Sequence, residues 1–160
     1  MSFKIRTGEK RDAAAILQLI VELAVFEKEP DAVEVTVDDL IRDGFSDNPR
    51  FKTFVAEEEG IIVGMTLFYE RYSTWKGKTI HLEDLMVTAS KRGIGAGKAL
   101  YKAVLNYAHE NGYKRVAWEV LDWNTNAIKF YENTGATVFD EWRVAQMNEQ
   151  NLERFINENF

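Results

Sequence analysis

A chain of 160 residues is the size of one ordinary domain, so residues 1–160 are read as a single domain whose core needs neither disulfides nor a structural metal. With 20 Lys and Arg against 26 Asp and Glu, the formal charge of -6 disfavours a nucleic-acid backbone binder, although a local basic patch is still free to hold a phosphorylated ligand. The absence of cysteine excludes disulfides, thiolate metal sites and cysteine nucleophiles, and the two histidines, His81 and His109, cannot build a histidine-rich metal centre. No apolar run reaches the roughly 18 residues of a membrane span. The expectation is a cytoplasmic protein with no nucleic-acid and no membrane partner.

In chain order, a short strand around Phe3 to Arg6 gives way near Asp12 to apolar positions Ile16, Leu17, Ile20, Leu23 and Ala24 at helical spacing. Asp12 or a polar neighbour is expected to cap that helix. Thr36 with Asp39 three residues later has the form of a capping box for a short helix through Leu40 and Ile41. FKTFVAEE and IIVGMTLFYE read as an antiparallel hairpin turned at Gly60, and STWKGK leads on into the strand TIHLEDLMV. A glycine-rich turn, RGIGAG, then opens a helix with Ala96, Leu100, Ala103, Val104 and Tyr107 on one face, ended by Gly112 before the strand YKRVAWEVL. Asn124 is placed to cap a helix carrying Ile128, Phe130 and Tyr131, ended by Gly135. Final strands are expected through ATVFDE and WRVAQM, and a short amphipathic helix over NLERFINENF. The whole reads as a mixed α+β or α/β domain with a mixed sheet.

Three features carry chemistry. In SKRGIGAGKALYKAV, Gly93, Gly95 and Gly97 stand where a strand hands over to a helix. Backbone N–H groups there are free to cradle phosphate oxygens, with Arg92 and Lys98 adding positive charge. The spacing fits neither a dinucleotide fingerprint nor a P-loop, and a purely structural tight turn is the alternative. Just before that turn, Glu83 and Asp84 interrupt an apolar strand. Strict alternation sends them to opposite faces, one toward a reaction centre and the other toward a loop or a cationic substrate. The alternative is that both satisfy neighbouring groups inside the sheet. The third feature is WNTNAIKFYENTGA, whose Tyr131 is a candidate proton donor or simply a packed ring with a surface hydroxyl.

Taken together and in this order, LIVELAVFEKEP, DLIRDGFSDNP, YSTWKGKTIHLEDLMV, KRGIGAGKALY, WNTNAIKFYENTGA and the EWR segment resemble the GNAT superfamily of acyl-CoA-dependent N-acetyltransferases. The closer resemblance is to its diamine branch, the spermidine/spermine and thialysine acetyltransferases. The likeness spans nearly the whole chain. It implies the GNAT fold, a mixed and mostly antiparallel central sheet flanked by helices, with acetyl-CoA as the acetyl donor.

By that resemblance Arg92, Gly93, Gly95, Ala96, Gly97 and Lys98 would bind the coenzyme A pyrophosphate. Met86 and Val87 would offer backbone contacts to the pantetheine arm, and Asn124 would touch the same cofactor. Glu83 would deprotonate the acceptor amine through water, Asp84 would help orient it, a strand N–H near Val87 would stabilise the oxyanion, and Tyr131 would protonate the departing thiolate and contact the cofactor. Glu27, Asp84, Trp75 and Trp142 would line an acidic and aromatic acceptor channel, with Glu29 and Glu141 as further acids. Direct transfer in a ternary complex to a small amine, and a homodimer whose two subunits share the acceptor groove, complete what the resemblance implies.

Val25 and Phe26 stand where polyamine-selective relatives commonly carry a more polar pair, and Ala127 where some use a serine. The alternatives to a small-amine acetyltransferase are a protein or peptide N-acetyltransferase and a noncatalytic acyl-CoA-binding regulatory module.

Overall fold

The computed structural model describes residues 2–158. Its contacts divide the chain into two compact units, one running through Glu119 and the other starting at Val120.

The first unit is built on a five-stranded sheet in the order β1 (Lys4–Thr7), β2 (Lys52–Glu58), β3 (Ile61–Ser73), β4 (Gly77–Val87) and β5 (Val116–Ala117). The first three pairings are antiparallel and β4 with β5 is parallel, which is the mixed, mostly antiparallel sheet expected. The β2–β3 hairpin turns at Glu59 and Gly60, both with positive φ, 50° and 82°. Left-handed backbone at both central residues matches the twist of the flanking strands, which is why an acidic stretch ending in glycine reverses the chain here.

Helices α1 (Ala13–Phe26) and α2 (Val37–Gly44) cover one face of the sheet, and α3 (Ala96–Glu110) packs against the other. Ala13, Ile16 and Leu19 of α1 and Leu40 of α2 pack with Val55, Met65, Leu67 and Met86. On the opposite face Ala96 and Leu100 of α3 pack with Phe3, Ala56 and Val63. Neighbouring residues Val55 and Ala56 thus point to different cores, as strand alternation requires. Each large apolar side chain buried this way stabilises the fold by roughly 1.5–3 kcal/mol.

The capping box at Thr36 and Asp39 forms as the sequence spacing predicts: Thr36 Oγ1 accepts from Asp39 N at 3.1 Å, and Asp39 Oδ2 accepts from Thr36 N at 2.9 Å. Asp12 behaves differently. It occupies the N-cap of α1 but makes no side-chain cap there; its carboxylate accepts from Glu9 N at 2.8 Å and from Arg6 Nη1 at 2.6 Å. Arg6 also reaches Glu57 at 2.6 Å, so one guanidinium joins β1, β2 and the start of α1, and it holds the Asp12 carboxyl below its usual range. A charged partner within reach outcompetes a backbone N–H that water can satisfy.

Three expected strands come out shorter or unformed. The run YKRVAWEVL contributes only Val116 and Ala117 to the sheet, because pairing with β4 covers just Ile80 and His81. In the second unit, no strand forms over 136–147 among the described residues. Alternating apolar residues set an extended backbone, but a strand also needs a hydrogen-bonding neighbour, and this segment has none in its own unit. That unit contains α4 (Thr125–Asn133) and α5 (Glu149–Asn157). Asn124 caps α4 through its Oδ1, which accepts from Ala127 N at 3.3 Å, and Gly135 follows its end with φ 96°. Ile128 is only half-buried on that helix. The expected terminal helix is α5, capped by Asn148; the last two residues of NLERFINENF lie outside the described residues.

Candidate active site

The β3–β4 ladder contains a bulge. Leu67 is opposite Asp84 and the next residue, Phe68, is opposite Leu82, so Glu83 is an extra residue on β4 with no partner on β3. The bulge overturns the expectation that Glu83 and Asp84 face opposite ways. Asp84 stands across from Leu67, and Glu83 bonds to Tyr69, which packs against the same α1-side core as Leu67. Both carboxylates therefore lie on the α1 face. Leu85 and Val87 belong to the α3 side, while Met86 is buried on the α1 side.

Asp84 is strongly perturbed. Burial, then the neighbouring charge of Glu83, then that of Glu27 push it up to about 6. Glu27 sits at the C-cap of α1, and partial loss of solvent raises its own carboxyl. Among the described residues neither Asp84 nor Glu27 forms an ion pair. Three carboxylates thus converge from α1 and β4 with no cation among Asp84 and Glu27 to offset them, an arrangement that a protonated amine would complete.

Glu83 is half-exposed, its side chain retaining 50% of its accessible surface. Tyr69 donates to Glu83 Oε2 at 2.8 Å, His81 Nε2 lies 3.4 Å from the same oxygen, and Arg71 Nη1 lies 3.4 Å from His81 Nδ1. The carboxylate is open to water or to an approaching amine on its other side. Pairing of β4 with β5 stops at His81, so β4 from Leu82 to Val87 has no β5 ladder along its edge. Such an edge offers main-chain donors and acceptors to an extended amide-bearing chain.

β4 runs directly into the glycine turn. Glu22 of α1 anchors the connection, accepting from Thr88 Oγ1 at 2.9 Å and from Ala89 N at 2.8 Å. Gly93 and Gly95 are left-handed, at φ 84° and 90°, and exposed; an added Cβ would meet nothing within 4 Å of either. Gly95 is the N-cap of α3, and no side chain caps that end, so its first N–H groups remain available. Arg92 and Lys98 are exposed beside it, Arg92 resting 5.0 Å over the Phe26 ring. Open backbone donors, a positive helix end and two cations fit a diphosphate. Ala96 is buried, so only its main chain can take part; Gly97 would place a Cβ 3.7 Å from Val87, which reflects close helix–strand packing.

Of the other predicted residues in the first unit, Trp75 is not gathered with these acids. Trp75 stands in the β3–β4 turn, 77% exposed, and the strand run from Gly77 to Asp84 puts it about 23 Å away within one chain. In the second unit, Tyr131 lies half-buried on α4 with its ring edge-on to Phe130 at 5.4 Å, Asn124 caps that helix, and Trp142 is exposed in an irregular stretch. Sequence reasoning missed Tyr69, Arg71, His81 and Glu22. For Tyr69, Arg71 and His81 the signal was the β3–β4 register, and for Glu22 the packing of α1 against the end of β4, both of which only long-range contacts reveal. Among the described residues no group of three or more His, Asp or Glu could hold a metal ion, and no helix is long and apolar enough to cross a membrane.

Residues 14–136 match the Acetyltransferase (GNAT) family. The chain is 34% identical over 161 residues to a thialysine N-epsilon-acetyltransferase of Caenorhabditis elegans, covering 98% of this chain and 99% of that protein. It is 35% identical over 160 residues to the human spermidine/spermine N(1)-acetyltransferase-like protein 1, covering 94% of this chain but spanning only 23% of that longer protein. In fold it is similar to an integron cassette protein from the mobile metagenome of V. cholerae, with TM-score 0.79, 23% identity and 99% of both chains covered. It is also similar to an aminoglycoside N-acetyltransferase solved in complex with CoA, with TM-score 0.71, 20% identity, and 91% and 94% of the two chains covered. The chain belongs to the GNAT family of acetyltransferases.

Proposed function

We propose that the chain moves an acetyl group from acetyl-CoA to a primary amine of a small polyamine, diamine or lysine-like amine. The observation that carries this reading is the convergence of Glu27, Glu83 and Asp84, with Asp84 pushed up to about 6 and neither it nor Glu27 ion-paired. An acceptor with two cationic ends would supply the missing charge. The names of the two relatives, a thialysine and a spermidine/spermine-like acetyltransferase, point the same way.

A primary ammonium has a pKa near 10.4 and cannot attack a thioester until it loses a proton. Glu83 takes that proton, directly or through water, while Asp84 and Glu27 hold the substrate's other cationic end. Acetyl-CoA supplies the activated acyl group. Gly93, Gly95, Ala96 and Gly97 receive its diphosphate on the main chain, Arg92 and Lys98 add charge, and the backbone of Met86 and Val87 aligns the arm along the open β4 edge. The Val87 N–H stabilises negative charge on the attacked carbonyl oxygen. Asn124 contacts the cofactor, and Tyr131 returns a proton to the departing thiolate. Donor and acceptor are bound together, in a ternary complex.

The chain works as a homodimer. Trp75 is exposed and far from its own acids, so it serves the acceptor groove of a second copy, with Trp142 as the other aromatic wall. The test is acetyl-CoA-dependent release of coenzyme A across diamines, spermidine, spermine, thialysine, lysine and short amine-bearing peptides, with product mass locating the acetyl group. Turnover of a free amine supports the reading. Turnover of peptides alone points to a peptide acetyltransferase, and binding of acetyl-CoA with no turnover points to a regulatory module.

A further inference from the structure

Glu83 stands on a bulge and half-exposed, where packing does little to fix its rotamer. Two groups from the paired strands reach the same oxygen of its carboxylate. The Tyr69 hydroxyl donates to Oε2 at 2.8 Å, and His81 Nε2 approaches Oε2 to 3.4 Å. Arg71 Nη1 lies 3.4 Å from His81 Nδ1, and because a guanidinium only donates, the neutral tautomer that satisfies both contacts accepts at Nδ1 and carries its proton on Nε2, toward Glu83. His81 is itself buried and packs 5.4 Å from the Tyr69 ring, so the two donors stand in a fixed relation to each other. Burial, then the bond to Glu83, pushes the Tyr69 hydroxyl up to about 12, so it remains a donor throughout the neutral range. Among the described residues nothing engages the other oxygen, Oε1.

We propose that Tyr69 and His81 are positioning residues that hold Glu83 by Oε2 and so reserve Oε1 to take the proton of the acceptor amine. This rests on the reading of Glu83 as the base. A carboxylate free to rotate would present either oxygen in many directions; one pinned by two donors presents a single oxygen in one direction, and proton transfer depends on that geometry. Arg71 acts one step further out, by fixing which nitrogen of His81 is protonated.

The experiment is a set of variants assayed for kcat, for KM of the amine and for acetyl-CoA affinity by calorimetry. Glu83→Gln is expected to lower kcat by about 10²-fold or more. Tyr69→Phe and His81→Leu are each expected to lower kcat by about tenfold with acetyl-CoA affinity unchanged. His81→Gln, whose amide can still donate, is expected to keep most of the rate that His81→Leu loses. In the Glu83→Gln background Tyr69→Phe should cause no further loss, because the group it positions is already gone. The same proportional loss in both backgrounds, or a His81→Gln variant as slow as His81→Leu, overturns the positioning role while leaving Glu83 as the base. Undiminished turnover by Glu83→Gln overturns the base itself. Should the His81 variants fail to fold, the Tyr69 and Glu83 cycle decides alone.

Discussion

Asp84 stands opposite Leu67 on β3, and the residue before it, Glu83, is the one that the ladder skips. That single irregularity turns two acids of one strand toward the same side. Burial, then the neighbouring charges of Glu83 and Glu27, raises the cost of ionising Asp84.

Because its folded value is raised from 3.8 to about 6, Asp84 holds its proton more tightly in the native state than in the unfolded chain. Its contribution to stability is full below about pH 4 and is lost as pH rises through 6. Asp84→Asn is accordingly expected to be more stable than the parent at pH 8, by up to about 3 kcal/mol, and no more stable at pH 3.5. Denaturant unfolding at the two values checks this. The same variant should raise KM for a diamine, and a lower KM would remove Asp84 from the acceptor site.

Gly95 opens α3 at φ 90° with free space around it, so Gly95→Ala introduces backbone strain rather than a clash. The expected loss is about 1–2 kcal/mol of stability together with weaker binding of coenzyme A, as the turn relaxes away from the geometry that exposes its N–H groups. Calorimetric titration with coenzyme A measures the second effect, and unchanged affinity would leave the glycine turn a purely structural feature.

Tyr131→Phe removes one hydroxyl from α4. If that hydroxyl protonates the thiolate, kcat falls by about 10²-fold while acetyl-CoA affinity holds. A parallel fall in affinity, or no fall in rate, assigns the residue to packing.

Arg6 joins Asp12 and Glu57 at the edge of the sheet, far in function from the acids of β4. Arg6→Leu leaves Asp12, 5% exposed, without its counter-ion and is expected to cost about 3 kcal/mol at pH 7. The loss should shrink in acid: Asp12 is held below its usual value by Arg6, and Glu57 by Lys4 and then Arg6, so the stability they lend is present at neutral pH and disappears as they protonate. Thermal unfolding at pH 7 and pH 3 measures it, and specific activity of the folded fraction should not change.

Local signals carried the elements that depend on neighbours in the chain. The Thr36 and Asp39 cap, the Asn124 cap, the turn at Gly60 and the glycine-opened α3 are all set within four or five residues, so spacing and side-chain chemistry determine them. The acids before the glycine turn were legible for the same reason, as charges in an otherwise apolar strand. What the tertiary structure decided rests on pairing between distant residues. The bulge exists only in the register of β4 against β3; it put Glu83 beside Tyr69 and His81 and both acids on the α1 face, against strict alternation. Pairing limited to two residues cut β5 short, and the length of β4 separated Trp75 from the acids that it was expected to join. A period of two says which residues alternate along a strand, but not where a ladder slips by one, because that slip is settled by the packing of two faces at once.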